Sequence, residues 1–441
     1  MRVAQSPLSE AARSALAKTS WHILPLIVLA YVCALMDRVN IGFAAIQMNV
    51  DLGFSATVYG LGGGLFFLSY ALFEIPSNML LARFGARRWI ARIMITWGLL
   101  GTGMMFVRTP LQFYTVRFLL GAAEAGFYPG VIYYLSQWYP RSHRGRAFSI
   151  FYSAVPLSSV VMGGLAGMLL GMSGQAQLKG WQWLFLVEGL PAVIMGIIIF
   201  AWLPDTPKSA GWLSKAESGW LEGQLSLEAA AIGEPASHDA LAALRHPLVL
   251  QFSLIGFLVL FCSITFTLSA PLVLKELTNL SAGGIGYLVG LGGILAAVGT
   301  LLSGRISDRR GERFGPILVG TALMGGAFVA LAFAPSAGIV TLAYFVFASA
   351  WPAVASSLTM VWPEAIHVRQ LAVGAAAINS VANLGSFVGP YLWGVTRDAS
   401  GSYRAGLLAL GAIAFVTLLP MLVLRRQVNA VRVKSAFATA Y

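Results

Sequence analysis

Twelve stretches of about 20 mainly apolar residues run the length of this chain, and no other feature narrows its possible folds as sharply. A hydrocarbon layer about 30 Å thick is crossed by about 20 helical residues at about 1.5 Å each. Lipid offers no hydrogen bonds to backbone amides, so such stretches must be helices that satisfy their own. The predicted spans are 22–46, 57–81, 89–107, 111–135, 147–171, 183–203, 248–270, 282–303, 314–334, 337–361, 371–395 and 404–424, with polar interruptions in the first and eleventh. Composition argues the same way. Of 441 residues 58% are hydrophobic and 10% charged, against roughly 25% charged in soluble chains. The 29 basic and 17 acidic residues cannot provide the polar skin that 47.0 kDa of soluble domains requires. The expected class is an all-α membrane protein of twelve transmembrane helices.

The net charge of +12 and pI near 9.9 point to loop topology rather than to a nucleic-acid partner, because basic loops resist translocation. Placing both termini and the even-numbered connections on one side gathers 22 of the 29 basic residues there, counting Arg92 near that end of the third span. Arg108, Lys179, Lys275, Arg397 and Arg404 fall opposite, and Arg38 and Arg117 lie within spans. Both termini are therefore expected in the cytoplasm. The first twenty residues are polar, with Arg2, Arg13 and Lys18, and no removable signal peptide is expected. Cys33 and Cys262 sit in apolar runs, so neither a disulfide framework nor a CxxC metal site is expected.

One long polar connection, about Pro204 to Pro247, divides the chain into segments 1–203, 204–247 and 248–441. Trp212, Leu213, Trp220, Leu221 and Leu225 recur within it at helical spacing, which predicts a short surface helix. The flanking segments repeat each other: Arg83 and Arg309, Gly85 and Gly311, and Arg87 and Arg313 are each separated by 226 residues. Two pseudo-repeated six-helix bundles with a site between them near mid-membrane are expected.

A charge at the centre of a membrane helix costs about 2.5 to 3.5 kcal/mol on insertion scales, so each is expected to be paired and functional. Asp37, Arg38, Glu74, Arg117 and Glu124 qualify, all in the first half. Arg117 and Glu124 lie seven residues apart on one helix face, and Gly121 between them admits a neighbouring helix. The expected pairing joins Arg117 to Asp37 or Glu124 and leaves Arg38 turned to the cavity, where its planar donor fork suits a carboxylate. Two arginines and two carboxylates sum to zero. A bound organic anion makes the pocket negative unless a carboxylate gains a proton, so Asp37 and Glu124 are expected to be proton sites, tuned by Arg117. Glu74 reads as a gate or packing carboxylate within reach of Arg83 and Arg87.

In the second half Asn379 and Asn383 share a helix face and suit hydroxyl or carboxylate groups of a substrate. Tyr70, Tyr152 and Ser356 are further cavity candidates. Gly163, Gly167 and Gly171 form small-residue steps, and Pro156, Pro352 and Pro390 interrupt helices that flex or line a cavity. The loop residues Arg83, Gly85, Arg87, Gly304, Asp308, Arg309, Gly311 and Arg313 read as a cytoplasmic latch.

Gly304-x-x-x-Asp308-Arg309-x-Gly311-x-Arg313 resembles the loop signature of the major facilitator superfamily. Asp37-Arg38-Val39-Asn40-Ile41-Gly42, Arg117 through Gly126, and Asn379-Ser380 through Asn383-Leu384-Gly385 to Gly389-Pro390 resemble its anion:cation symporter family. The resemblance implies the superfamily fold and proton symport of organic anions such as tartrate, aldonates, phthalate or hydroxyphenylacetate. Two departures stand out. Asn78 and Ala82 replace the glycine and aspartate of the loop signature in the first half, removing its acidic partner. Ser269-Ala270-Pro271 replaces Trp-Leu-Pro, which is expected to enlarge or polarise the cavity.

His22, His143, His238, His246 and His367 are scattered, and HExxH and GxxxxGK[ST] motifs are absent from the sequence. An enzyme or ATP-driven pump is not expected, and no cofactor is. The leading expectation is a monomeric proton-coupled importer of a small organic carboxylate in the bacterial inner membrane. Its rivals are a proton-coupled exporter of organic acids or drugs and a non-transporting carboxylate sensor.

Overall fold

The structure is a computed structural model and describes residues 9–230, 245–310, 312–365 and 368–438. Its helices are α1 (Glu10–Leu52), α2 (Ala56–Phe84), α3 (Ala86–Gly103), α4 (Pro110–Glu124), α5 (Phe127–Ser136), α6 (Arg141–Tyr152), α7 (Ala154–Leu170), α8 (Gly180–Trp202), α9 (Lys215–Ala230), α10 (Pro247–Thr278), α11 (Ala282–Arg310), α12 (Phe314–Ala332), α13 (Ala337–Ala365), α14 (Val368–Ser400) and α15 (Tyr403–Ala438). Local sequence sets the ends. Ser55 Oγ caps α2 by accepting from Val58 N at 3.2 Å, and Thr109 and Gln112 form a capping box around Pro110 at the start of α4.

Among the described residues ten segments are long and apolar enough to cross a membrane. The predicted span 111–135 is not one helix: it breaks into α4 and α5 at Ala125 (φ −52°, ψ 131°) and Gly126 (φ 86°). Gly126 is the residue type that enters this left-handed conformation without strain, and the break leaves Glu124 at the end of α4. The predicted span 147–171 divides at Ser153 into α6 and α7. Pro156 follows in the first turn of α7, where its missing N–H costs least. The polar interruptions in α14 hold it below the spanning threshold met by the other second-half spans.

The two halves meet through α2 against α14 and through α7 against α11. A Cβ on Gly60 would collide with the Pro390 carbonyl, and one on Gly64 with that of Phe387. Gly286 and Gly290, each 226 residues further on, face Gly163 of α7: a Cβ on Gly286 would collide with the Gly163 carbonyl and one on Gly163 with Gly290 Cα, and Gly167 faces Gly283. Gly171, by contrast, caps α7 against its own backbone. These small residues let backbones touch. All these contacts lie on the half of the molecule away from the chain ends. Tyr59 donates its hydroxyl to the Leu268 carbonyl at 2.7 Å there, and Asp398 accepts from Ala56 N at 3.0 Å and Thr57 N at 2.8 Å, capping α2 from the other half.

Towards the ends of the chain the grip loosens. In α2 the buried residues beyond Tyr70 are Ser77 and Leu81. In α11 those beyond Gly292 are Ser303 and Ser307. The bundles are thus closed on one face and parted on the other. Among the described residues the ion pairs on the parted face stay within a half: Arg87 with Asp205, Arg144 with Glu228, Asp308 with Arg313, and Glu312 with Arg425.

The predicted surface helix is α9. Its Glu217 is buried, accepting from Ser14 Oγ at 2.5 Å, Lys18 Nζ at 3.0 Å and Ser214 N at 2.7 Å. Trp212, just before it, stacks on His22 at 4.5 Å. The connection after α8 is therefore fastened to the start of α1.

Two predictions follow from this packing. Gly163→Val wedges α7 from α11 at a cost of about 1–3 kcal/mol, a shift of about 5- to 150-fold in the conformational ratio. Maleimide labelling in detergent of a cysteine at Ala45, buried on the closed face, should rise accordingly; unchanged labelling contradicts the interlock. The Glu217 carboxyl is lowered to about 2, first by the Ser14 hydroxyl and then by Ser214 N and Lys18. A depressed carboxylate stabilises docking above its unfolded value near 4.3 and loses that contribution as pH falls towards 2. Amide exchange in 215–228 should accelerate across that window and already at neutral pH in Glu217→Gln.

Candidate functional site

Six polar side chains meet where α1, α2, α4 and α14 converge. Arg38 Nε donates to Glu124 Oε1 at 2.6 Å. The Glu124 side chain is 0% exposed while that of Arg38 is 29% exposed, so the pair has one enclosed partner and one open to the hollow. The guanidinium also lies over the Tyr70 ring, 5.0 Å from its centroid, a cation–π contact. One turn further along α2, Glu74 Oε2 accepts from Asn379 Nδ2 at 3.0 Å, joining the two halves. Asn383 Nδ2 donates to the Asn379 carbonyl at 3.0 Å.

The expected pairing of Arg117 is not made as an ion pair with either carboxylate among the described residues. Arg117 faces Asp37 electrostatically, but its Nε donates to the Gly62 carbonyl at 3.3 Å and its guanidinium lies 4.8 Å from the Phe66 centroid. Glu124 goes to Arg38 instead. The cause is the α4 break, which places Glu124 at a helix C-terminus, where a cation is favoured. Gly121 does admit α2, since a Cβ there would strike the Phe66 carbonyl and Ser69 Oγ. Glu74 reaches across to Asn379, not back to Arg83 or Arg87.

Other candidates take secondary places. Tyr152 is 44% exposed and its hydroxyl touches that of Tyr128. Tyr31 stacks on Phe151 at 4.4 Å beside them, so an aromatic wall adjoins Arg38. Ser356 on α13 is bonded to its own helix through the Ala353 carbonyl at 3.2 Å. Ser269 does not line this hollow. It faces a separate one of about 400 Å³ on the closed side, with Asn49, Tyr59 and Arg397.

The loop residues sit at the parted face. Arg83 covers the Phe84 ring at 5.7 Å. Arg87 meets Asp205, through its backbone N at 3.1 Å and Nε at 3.5 Å, and a Cβ on Gly85 would lie 3.3 Å from the same carboxylate. Asp205, at the end of α8, thus supplies the acidic partner that Ala82 withholds. Arg313 Nη1 binds Asp308 at 2.8 Å and Ser307 Oγ at 3.3 Å. Gly304 has open space around it, Arg309 is in the last turn of α11, and Gly311 lies outside the described residues.

Sequence reading passed over Glu188. It is 6% exposed in α8, and both carboxyl oxygens lack a hydrogen-bond partner among the described residues. The signal was present, a carboxylate inside an apolar span, but no basic residue lies near it in sequence to draw attention. Glu124 Oε2, Asp37 Oδ2 and Asn40 Oδ1 are likewise buried without partners among the described residues. These are buried acceptor atoms for which the described residues supply no donor.

Comparison with known proteins agrees with this architecture. The Major Facilitator Superfamily family model matches residues 27–390 and 253–439. A "Putative tartrate transporter" of Agrobacterium vitis is 43% identical over 414 residues, covering 93% of this chain and 94% of the relative. A "Quinolone resistance transporter" of Acinetobacter baumannii is 38% identical over 402 residues, covering 89% and 91%. The crystal structure of a bacterial homologue of the human lysosomal transporter Spinster superposes with a TM-score of 0.78 at 18% identity, over 96% of this chain and 98% of that one. With two pseudo-repeated bundles and these matches, the chain belongs to the Major Facilitator Superfamily and is a membrane transporter, not an enzyme.

Proposed function

We propose that this protein imports a small organic carboxylate together with protons, by alternating access. The observation that carries the reading is the Arg38–Glu124 pair, one partner enclosed and the other open to the hollow. An incoming carboxylate competes for the Arg38 guanidinium. If it takes that group, Glu124 is left as a buried charge without its partner, at a cost of about 3–5 kcal/mol. Protonating Glu124 removes the penalty and frees Arg38 for the anion. Binding of anion and proton are then mutually favourable.

Asp37, facing Arg117, is the second proton site. Asn379 and Asn383 give hydroxyl-binding groups on the opposite wall, with Tyr70 and Tyr152 bounding the space and Ser356 at its second-half side. The Glu74–Asn379 bond would then report occupancy, since it ties the halves beside the substrate. A relative named for tartrate fits a polyhydroxy acid, whose hydroxyls match the asparagines. The excess of basic loops on the terminal side supports a cytoplasmic placement of both ends, so the parted face opens to the cytoplasm, as in release during import. The loop residues from Arg83 to Arg87 and from Gly304 to Arg313 would latch that face when it closes. A monomer suffices for this scheme.

A second reading is export, favoured by the 38% identity to a transporter named for quinolone resistance. The direction of pH dependence separates the two: acid outside speeds entry in an importer, and acid outside drives extrusion in an exporter that exchanges protons.

The test is uptake into liposomes of tartrate, aldonates, phthalate and hydroxylated aromatic acids under an inward proton gradient. Arg38→Ala should weaken binding about 10- to 100-fold, the loss expected of charge-assisted hydrogen bonds. Glu124→Gln should keep counterflow exchange and lose gradient-driven accumulation. Full accumulation by that variant removes Glu124 from the proton path.

A further inference from the structure

The second hollow, on the closed face, has a volume of about 400 Å³, within the range of small-molecule sites. Asn49, on its lining, stands eleven residues beyond Arg38 on α1, about 16 Å along the helix axis. The space is therefore separate from the central site. Ser55 and Tyr59 line it from the first half, and Ser269, Arg397 and Asp398 from the second. Its mouth is open, for Val50 on the same lining is 82% exposed. The serine at 269 leaves room there; the tryptophan of a Trp-Leu-Pro pattern would put an indole into it.

The polar groups of this lining divide into two sets. Asp398 has both oxygens on backbone donors, Ala56 N and Thr57 N, and Tyr59 gives its hydroxyl proton to the Leu268 carbonyl. These groups already hold the halves together. Asn49 and Ser269 are uncommitted, since neither side chain makes a hydrogen bond among the described residues. Asn49 Oδ1 is buried, which leaves the Nδ2 donors as the part of its amide that a guest can reach. Arg397 Nη2 binds Glu276 Oε2 at 2.9 Å and its guanidinium lies 4.7 Å from the Tyr403 centroid. That bond uses one of five N–H groups. The available groups are thus donors, and one of them is cationic.

We propose that this hollow is a second anion site, which takes a small organic carboxylate from the solution bathing the closed face. Arg397 holds the carboxylate, and Asn49 and Ser269 donate to the remaining oxygens of the guest. Because Asn49 belongs to the first half and Arg397 and Ser269 to the second, the guest bridges them. Opening this face separates those donors, so occupancy favours the closed arrangement.

The charge balance differs from that at Arg38. Glu276 is 41% exposed, so a guest that takes Arg397 releases it to water with its charge intact. Exposed pairs of this kind are weak, and no buried charge is stranded that a proton would have to neutralise. The titratable groups around Arg397 are Glu276 on α10, Asp398 on α14 and Tyr403 on α15. From α1, α2 and the turn between them come Asn49, Tyr59 and Ser55. Ordinary carboxylates titrate near 4 and tyrosines near 10, so affinity at this site is level between pH 6 and pH 8. Neither the site nor its indifference to protons rests on the proton-coupled reading of the central one.

The test uses the full chain in detergent with Arg38→Ala, which weakens the central site, and an environment-sensitive fluorophore on Val50→Cys at the mouth. Tartrate is the probe and sulfate the inorganic comparison. Tartrate should give a saturable change whose midpoint differs by less than about twofold between pH 6 and pH 8. Arg397→Gln should raise the midpoint about 10-fold, the loss expected of a charge-assisted hydrogen bond, and Asn49→Leu about 3- to 10-fold. Ser269→Trp should abolish the change by filling the space. No saturable change, or one that Arg397→Gln and Ser269→Trp leave as it was, overturns the site. An unaltered midpoint in Asn49→Leu overturns the bridging of the halves, and a midpoint 10-fold lower at pH 6 than at pH 8 overturns the proton-free exchange at Arg397. Sulfate binding as tightly as tartrate overturns the assignment to a carboxylate.

Discussion

A carboxylate sealed inside a membrane helix bundle must have a cation, a set of donors or a proton, and the site is organised by that requirement. Glu124 has Arg38 at 2.6 Å and nothing among the described residues on its other oxygen. Arg38 is the only one of the two that an incoming molecule can reach, because its side chain is 29% exposed and that of Glu124 is 0% exposed. The pair is stable at rest and unstable to competition. In the proposed mechanism, coupling between a negative guest and a proton arises from this asymmetry, without any moving part of its own.

In the proposed alternating-access cycle the scaffold has to convert that local balance into movement. Small residues repeated at an interval of 226, Gly60 with Gly286 and Gly64 with Gly290, sit at equivalent places on α2 and α11 and let each helix lie against the opposite half. Both helices are gripped at the same end and loose at the other. A rocking motion about the central site needs two such pivots, and pseudo-symmetry provides them from one ancestral pattern. The Asp398 cap on α2 and the Glu74–Asn379 bond lie on either side of the pivot, where each can bias one state.

Much of this was legible in the sequence for a physical reason: lipid permits few ways to bury a backbone, so apolar length fixes the spans and the fold class. The offset of 226 likewise made the two halves visible before any packing was known. Pairing was less legible. Arg38 and Glu124 were both identifiable as buried charges, but their union depends on a helix break at Ala125–Gly126 that aims Glu124 at α1, and apolar length is blind to such a break. Asp205 could not be foreseen as the partner of Arg87, because the contact joins the ends of α3 and α8 across more than a hundred residues. Glu188 was not legible as a site residue, because no basic residue lies near it in sequence; its burial in α8 emerges only from the packing.

The account stands or falls on proton uptake accompanying anion binding. Calorimetric titration of the purified protein with an anion that it transports, repeated in buffers of different ionisation enthalpy near neutral pH, measures that number directly. A heat that varies between buffers in the sense of net proton uptake is the predicted result, and the variation should vanish in Glu124→Gln if Glu124 is the group titrating. The same heat in every buffer would mean that the anion enters without a proton, and the exchange at Arg38 would not be the source of coupling.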